Sequence, residues 1–298
     1  MIHQPVLLQE VLTNLDPKPG EIFIDATINR GGHAKAIAER LGTKGQLFGL
    51  DVDAEALVAA RANLAEVACP VTLFETNFSQ MVQVIPEALR GRINGLLLDL
   101  GFSSEQMDNS GRGFSFRRDE PLYMTLAVNP AEEALTAATI VNSWPEAKLV
   151  RVISEYGEER FARPIAKAIG LARRQEKIMT TFQLVAVIKK AVPAWYTRQR
   201  LHFATKTFQA LRIVTNDELT VLAQTLPQAW AILAPEGRLG VISFHSLEAR
   251  IVKNFFQFLK RNEGGSPVTK HALKPTYVEV KINPRSRSAQ LRVIKKTL

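Results

Sequence analysis

Nine residues, Asp25-Ala26-Thr27-Ile28-Asn29-Arg30-Gly31-Gly32-His33, join a short apolar run to a stretch with helical spacing. Paired glycines in such a turn let the main chain come close to a bound ligand. Asp51 closes the next apolar run, about twenty positions beyond Gly31, a spacing at which a carboxylate can accept hydrogen bonds from both hydroxyls of a ribose. Asn77-Phe78 follow the third run, where an amide or a ring can flank an adenine, and Asp99 closes the fourth, toward the reacting end of a ligand. NAD and S-adenosylmethionine both carry that ribose. A dinucleotide also needs backbone amides around a pyrophosphate, usually in a G-x-G-x-x-G spacing that is absent here, so the loop fits a phosphate-free cofactor better. Singly each signal has a bland reading, since a Gly-Gly pair is commonly a turn and Asp51 or Asp99 could cap a helix. In sequence order on four successive runs they reinforce one another.

The elements that must position these residues are legible as short apolar runs alternating with helical patterns. Ile22 to Ile24, Gln46 to Leu50, Val71 to Phe74 and Gly95 to Leu100 read as parallel strands. Ala34 to Leu41 and Ala54 to Leu64 read as the crossover helices of βαβ units. A doubly wound sheet follows, with ligands at the carboxyl ends of its strands. The next strong strand, Arg238 to Phe244, comes far too late for a crossover built on one helix, so the chain carries an insertion after the fourth strand. Its contents read as helical: Glu146 to Arg174 is amphipathic, and Thr180 with Gln183 forms a capping-box pattern ahead of Leu184 to Ala191. Beyond the insertion, Ser246 to Leu259 reads as a helix. A Gly264-Gly265 linker then leads to two β-rich runs, Tyr277 to Ile282 and Leu291 to Ile294, expected to close the sheet as an antiparallel pair.

A chain of 298 residues with 46% hydrophobic content can bury one large α/β core and a smaller second unit. Cys69 is the only cysteine, which excludes an internal disulfide and a thiolate zinc cluster and reads as a small buried residue; no metal is expected. No secretory leader pattern and no uninterrupted apolar run of membrane-spanning length occurs, which predicts a soluble, cytoplasmic protein with no membrane partner. Net charge is +9, and residues 145 to 215, with 14 basic and 5 acidic side chains, hold an excess equal to that of the whole chain. Such a stretch is either a solvated helical surface or the footprint of a polyanion.

Several further segments complete a pattern: His3-Gln4-Pro5-Val6-Leu7-Leu8, Asp99-Leu100-Gly101-Phe102-Ser103-Ser104, Arg112-Gly113-Phe114-Ser115-Phe116, Tyr156-Gly157-Glu158-Glu159-Arg160-Phe161, Phe208-Gln209-Ala210-Leu211-Arg212-Ile213, Asn216-Asp217-Glu218-Leu219, Ile242-Ser243-Phe244-His245-Ser246-Leu247-Glu248 and Asn283-Pro284-Arg285-Ser286-Arg287-Ser288. With the Asp25 to His33 loop, they closely resemble the bacterial ribosomal small-subunit (16S) RNA cytosine-N4-methyltransferase family from His3 to Arg292. The resemblance implies a Rossmann-like class I methyltransferase domain with an inserted helical domain after the fourth strand. It places the first part of the catalytic domain at 1–104, the inserted substrate-recognition domain at 105–215 and the second part at 216–298. It implies S-adenosyl-L-methionine as cofactor, held by Gly31, Gly32, His33, Asp51 and Phe78, with Asp99 and Gln106 toward the methionine end. The partner implied is ribosomal RNA or the small ribosomal subunit, methylated at a cytosine amino group in the decoding region.

Three positions depart from the family pattern. Asn29 stands where the loop usually has glycine, and asparagine tolerates positive φ. Pro121-Leu122-Tyr123-Met124-Thr125-Leu126-Ala127 stands where Pro-Leu-Asp-Met-Arg-Met-Asp is usual, so three charges are missing. Ala249 replaces the aspartate that normally follows Leu-Glu.

The exocyclic amine of cytosine is a poor nucleophile, so alignment with the sulfonium methyl supplies most of the help, and Asp99 is the leading acceptor for the departing proton. Reaching the amine calls for an unstacked base, hence aromatic walls and a basic rim. Phe114 and Phe116 with Arg112, the Trp195-Tyr196-Thr197-Arg198-Gln199-Arg200 run with its Arg198 and Arg200, and the pair Arg285 and Arg287 are the candidates. Core packing is the competing reading for the two phenylalanines, and a hydrogen-bonded structural role for His245. Two rival functions remain: a non-catalytic RNA-binding protein on a methyltransferase scaffold, motivated by the charges missing at 123 to 127, and an NAD-dependent oxidoreductase, against which the missing pyrophosphate loop argues.

Overall fold

The computed structural model describes residues 5–102, 107, 110–126 and 135–297. The chain divides into two compact units, Met1–Gly101 with Leu219–Leu298, and Phe102–Glu218.

The first unit is built on seven strands: Ile22–Asp25 (β1), Gln46–Asp51 (β2), Val71–Glu75 (β3), Ile93–Asp99 (β4), Leu233–Ser243 (β5), Gly265–Pro267 (β6) and Gln290–Lys296 (β7). Their order in the sheet is β3-β2-β1-β4-β5-β7-β6. β1 to β5 pair in parallel, and β7 runs antiparallel to both β5 and β6. Parallel strands are covered on both faces and so need near-continuous apolar runs. The side-chain period of two divides those runs between two cores. Phe23, Leu47, Leu97 and Ile242 pack with Val11, Leu15, Ala34 and Ile37, while Ile24, Phe48, Leu96, Leu98 and Val241 pack with Met81, Leu226, Trp230, Val252 and Phe256. The result is a Rossmann-like three-layer α/β domain. Strand order reverses between β1 and β4, so the carboxyl ends of β1, β2 and β4 flank the switch point where such sheets bind ligands.

Five of the seven expected strands lie within a residue or two of their predicted bounds, β5 begins at Leu233, five residues before the expected start, and the helical insertion follows the fourth strand. The seventh expected strand, Tyr277–Ile282, is a helix. Alternating Tyr-Val-Glu-Val-Lys-Ile suggests a half-buried strand, yet Tyr277, Val278 and Ile282 are 84%, 65% and 67% exposed, so no buried face rewards pairing. The Thr276 side chain instead accepts from the Glu279 N–H and caps a helical turn. The antiparallel partners of β7 are β5 and β6, the latter drawn from the segment expected to be a linker.

The second unit is helical: Ala137–Ser143, Glu146–Glu155, Ala162–Gln175, Thr181–Ala191 and Thr205–Asn216 enclose a core that includes Leu122, Met124, Ile140, Leu149, Ile165, Leu184 and Leu211. The amphipathic stretch from Glu146 is two helices, separated by a turn in which Glu158 adopts φ +47°. Thr180 and Gln183 form the expected reciprocal capping box. Among the described residues, no helix is long and apolar enough to cross a membrane.

Candidate active site

Three carboxylates end adjacent parallel strands: Asp25 on β1, Asp51 on β2 and Asp99 on β4. The loop after β1 is laced to the neighbouring strands by its main chain. Ala26 N–H donates to the Leu97 carbonyl at 2.9 Å and Ile28 N–H to the Leu50 carbonyl at 2.9 Å. Asn29 adopts φ +47°, as its residue type permits, and donates its N–H to Asp51 Oδ2 at 2.8 Å. Asp53 N–H donates to Asp51 Oδ1 at 3.0 Å. Both oxygens of Asp51 are thereby oriented by main-chain N–H groups.

The glycine pair has two separate reasons. Gly31 is the N-cap of the helix Gly32–Leu41 at φ +78°, which an L side chain rarely adopts. At Gly32 a Cβ would lie 2.6 Å from Pro5 Cγ, so the N-terminal segment packs directly on the loop. His33 follows and is buried; its Nε2 lies 2.9 Å from the Val6 carbonyl and its Nδ1 lies 3.6 Å from Asp99 Oδ2. Thr27 bridges β1 and β4: its N–H faces Asp25 Oδ1 at 3.3 Å and its Oγ1 accepts from the Asp99 N–H at 2.6 Å. Phe78 opens a 3₁₀ turn after β3, capped by the Asn77 side chain, and is half-buried.

Electrostatics sharpen the picture. Burial pushes the Asp25 carboxyl up to about 8, opposed by the Thr27 N–H and reinforced by the charges of Asp99 and Asp51. Burial also raises Asp51, against the N–H groups of Asp53 and Asn29 that hold it down. Burial lowers His33 to about 4, so the ring is neutral near pH 7, with the Val6 hydrogen bond and the charge of Glu279 pulling the other way. With Asp25 buried and protonated, the carboxylates of Asp51 and Asp99 remain to repel a pyrophosphate and suit a cation. S-adenosylmethionine, with a sulfonium, an ammonium and a ribose, matches that donor set, whereas a dinucleotide does not.

The remaining expected residues are distributed as follows. Gln106 and Ala127 lie outside the described residues. Arg112 and Phe114 are buried in the helical unit, where the Arg112 guanidinium stands 5.6 Å from the Phe114 ring centroid and donates to the Leu126 carbonyl. Phe116 packs on the same core, stacked on His202 at 4.3 Å and edge-on to Phe208 at 5.2 Å. Arg198 and Arg200 are exposed, beside a Trp195 that is 51% exposed. The Arg160 guanidinium covers the Trp195 ring at 4.4 Å, a cation–π contact. Tyr196 is buried and donates its hydroxyl to Glu159 Oε2 at 2.6 Å, and burial with that carboxylate raises its phenol. In the first unit Arg287 is exposed and Arg285 half-buried, on a 3₁₀ turn capped by Asn283. His245 is the N-cap of the helix Ser246–Asn262 in a capping box with Glu248. Cys69 is buried, and burial raises its thiol.

Sequence reasoning assigned no role to Asp25, Thr27, Val6 or Arg160. Asp25 carried a readable signal, an acidic residue at the end of an otherwise apolar strand; which carbonyl His33 would meet carried none.

A family model described as the MraW methylase family matches residues 1–297. Ribosomal RNA small subunit methyltransferase H of Heliobacterium mobile is 45% identical over 310 residues, covering 99% of this chain and 98% of that protein. The protein of the same name from Symbiobacterium thermophilum is 46% identical, covering 99% and 96%. Among solved structures, an rRNA methylase from Streptococcus thermophilus matches with a TM-score of 0.46 at 11% identity, covering 100% of this chain and 99% of that one.

Proposed function

The chain belongs to the MraW methylase family, and from that premise we propose that it methylates the N4 amino group of a cytosine in small-subunit (16S) ribosomal RNA, using S-adenosyl-L-methionine. The observation that carries this reading is the set of carboxylates at the ends of β1, β2 and β4, joined by a glycine-paired loop, in a chain so similar to named rRNA methyltransferases.

Asp51 holds the ribose hydroxyls, the backbone of Gly31, Gly32 and His33 borders the cofactor, Phe78 flanks the adenine, and Asp99 with Gln106 serves the methionine end. When bound, the cofactor supplies an electrophilic methyl group on a sulfonium. The protein's part is alignment and proton removal, because the cytosine amine has its lone pair delocalised into the ring and must be held in line. As N4 is methylated its lone pair is used for the new N–C bond, and Asp99 would accept the proton that N4 then loses. Arg198, Arg200 and Arg287, all exposed, are the phosphate contacts that position the strand. Arg112, Phe114, Phe116 and Arg285 are less accessible and support the segments that reach the RNA.

The test is radiolabelled methyl transfer to ribosomal RNA from a strain lacking the modification, followed by nucleoside mass spectrometry. N4-methylcytidine is expected. Label on another nucleoside would overturn the substrate. A protein that fails to bind S-adenosylmethionine by calorimetry while retaining salt-dependent RNA affinity would overturn the enzyme reading in favour of a binding module.

A further inference from the structure

Trp195 stands half in water on a mount that holds it still. The residue is 51% exposed, yet three neighbours close around its ring. The Arg160 guanidinium lies over it, 4.4 Å from the centroid, and the Phe161 and Tyr196 rings meet it at 61° and 79° with centroids 6.0 and 5.7 Å away. Both of those residues are tied to one buried carboxylate, Glu159, which is only 2% exposed. Its Oε2 accepts the Tyr196 hydroxyl at 2.6 Å, and its Oε1 accepts the Phe161 N–H at 2.8 Å. A buried carboxylate is costly unless its oxygens are bonded, and here the bonds fix the segments on either side of the indole. The indole surface left in water contributes nothing to the fold, whereas a flat partner would cover it without rearrangement.

Charge decides which partner. From Lys177 to Asn216 the chain has no Asp or Glu, against Lys189, Lys190, Arg198 and Arg200 among its basic residues. Arg198 and Arg200 follow the ring by three and five positions and are exposed, as is Arg160. A ring flanked by guanidiniums on a turn suits a single-stranded nucleic acid, whose base lies on the ring while neighbouring phosphates meet the cations. A lipid surface calls for an amphipathic helix, and an acidic peptide would use the cations and leave the ring idle.

We propose that Trp195 is a stacking platform for one unpaired base of the RNA, a base that flanks the cytosine to be methylated. The proposal rests on the RNA reading above and deepens it, adding a contact that is neither a phosphate nor the reacting base. Every base has a π-face, so the platform positions the strand without selecting the nucleotide. Arg160 braces the ring by cation–π attraction, so little side-chain freedom remains to be lost when the base arrives.

The test is binding of the full chain to a short single-stranded RNA, and to the same sequence annealed into a duplex, by filter binding without S-adenosylmethionine. Trp195→Ala is expected to weaken the single strand by about five- to a hundredfold and Trp195→Phe, which keeps a ring, by no more than about threefold, with duplex affinity unchanged in both. The log–log salt slope of Trp195→Ala should equal that of the wild type, because an uncharged base releases no counterions. Trp195 fluorescence, isolated as the difference between wild type and Trp195→Phe, should be quenched as the single strand is added. In methyl transfer to small-subunit RNA, the loss in Trp195→Ala should appear in KM and not in kcat. Full single-strand affinity in Trp195→Ala, an equal loss on the duplex, a flattened slope or a fall in kcat overturns the proposal. Absence of the quench does so too, and that readout decides even where Trp195→Ala fails to fold. Failure of the wild-type protein to methylate cytosine would sink the proposed reaction instead, and leaves the binding readouts to judge the platform.

Discussion

Asp25 sits one strand away from both Asp51 and Asp99, and its own carboxyl is held up to about 8 by burial. An acid whose folded-state value lies above its ordinary 3.8 binds more protons folded than unfolded, so its contribution to stability is complete at low pH and lost as pH rises toward 8. Asp25→Asn, which mimics the protonated side chain and keeps an oxygen for the Thr27 N–H, should flatten that loss; urea melts between about pH 5 and pH 8 measure it. At the neighbouring positions, Asp99→Ala should cut methyl transfer by about 10²- to 10⁴-fold while sparing RNA affinity, read by radiolabel incorporation and filter binding. Asp51→Ala should raise the cofactor Kd by about one to two orders of magnitude, as loss of charge-assisted hydrogen bonds of about 1.5–3 kcal/mol would, with calorimetry as the check. Asp51 and Asp99 could be picked from the chain because each ends an apolar run, a local signal. The Asp25–Thr27–Asp99 link and the Val6–His33 bond could not, since both join residues brought together by strand pairing and by the return of the N-terminal segment, which no spacing encodes.

At the scale of elements, the loop and the helix it launches depend on close approach. Gly32→Ala would drive a Cβ to 2.6 Å from Pro5 Cγ. Displacing the Pro5–Leu7 segment should cost about 1–3 kcal/mol of stability and also weaken cofactor binding, seen as a lower Tm and a higher Kd. His245→Ala removes the capping box of Ser246–Asn262 and should cost about 1 kcal/mol with the sheet otherwise intact, measured by denaturant melts. The parallel strands were readable because burial on both faces leaves unbroken apolar runs. The Tyr277–Ile282 helix was misread because alternation signals a strand only where one face is buried, and here both stay wet. The three-residue β6 strand is too short, and with its Gly and Pro too unlike a strand, to announce itself.

For the whole molecule, the excess of basic side chains between 145 and 215 implies binding dominated by released counterions. RNA affinity should fall steeply with salt, and Arg198→Ala or Arg200→Ala should each flatten the log–log slope by about 0.7–1 if it meets one phosphate; an unchanged slope in both would remove this run from the contact surface. The charge bias was plain in composition, whereas the burial of Arg112 and Phe114 was not, because composition does not say which side chains a core consumes. One topological fact also reaches beyond catalysis. β4 and β5 are sheet neighbours, yet everything from Leu100 to Ile232 is threaded between them. The middle of the sheet therefore cannot zip up until more than two-thirds of the polypeptide has been synthesised, and until then the apolar flank of Ile93–Asp99 stands open. An insertion with its own core draws the two ends of that excursion nearer, shortening the search. Sticky self-association at that orphan flank is the failure this protein must outrun whenever it is made or heated.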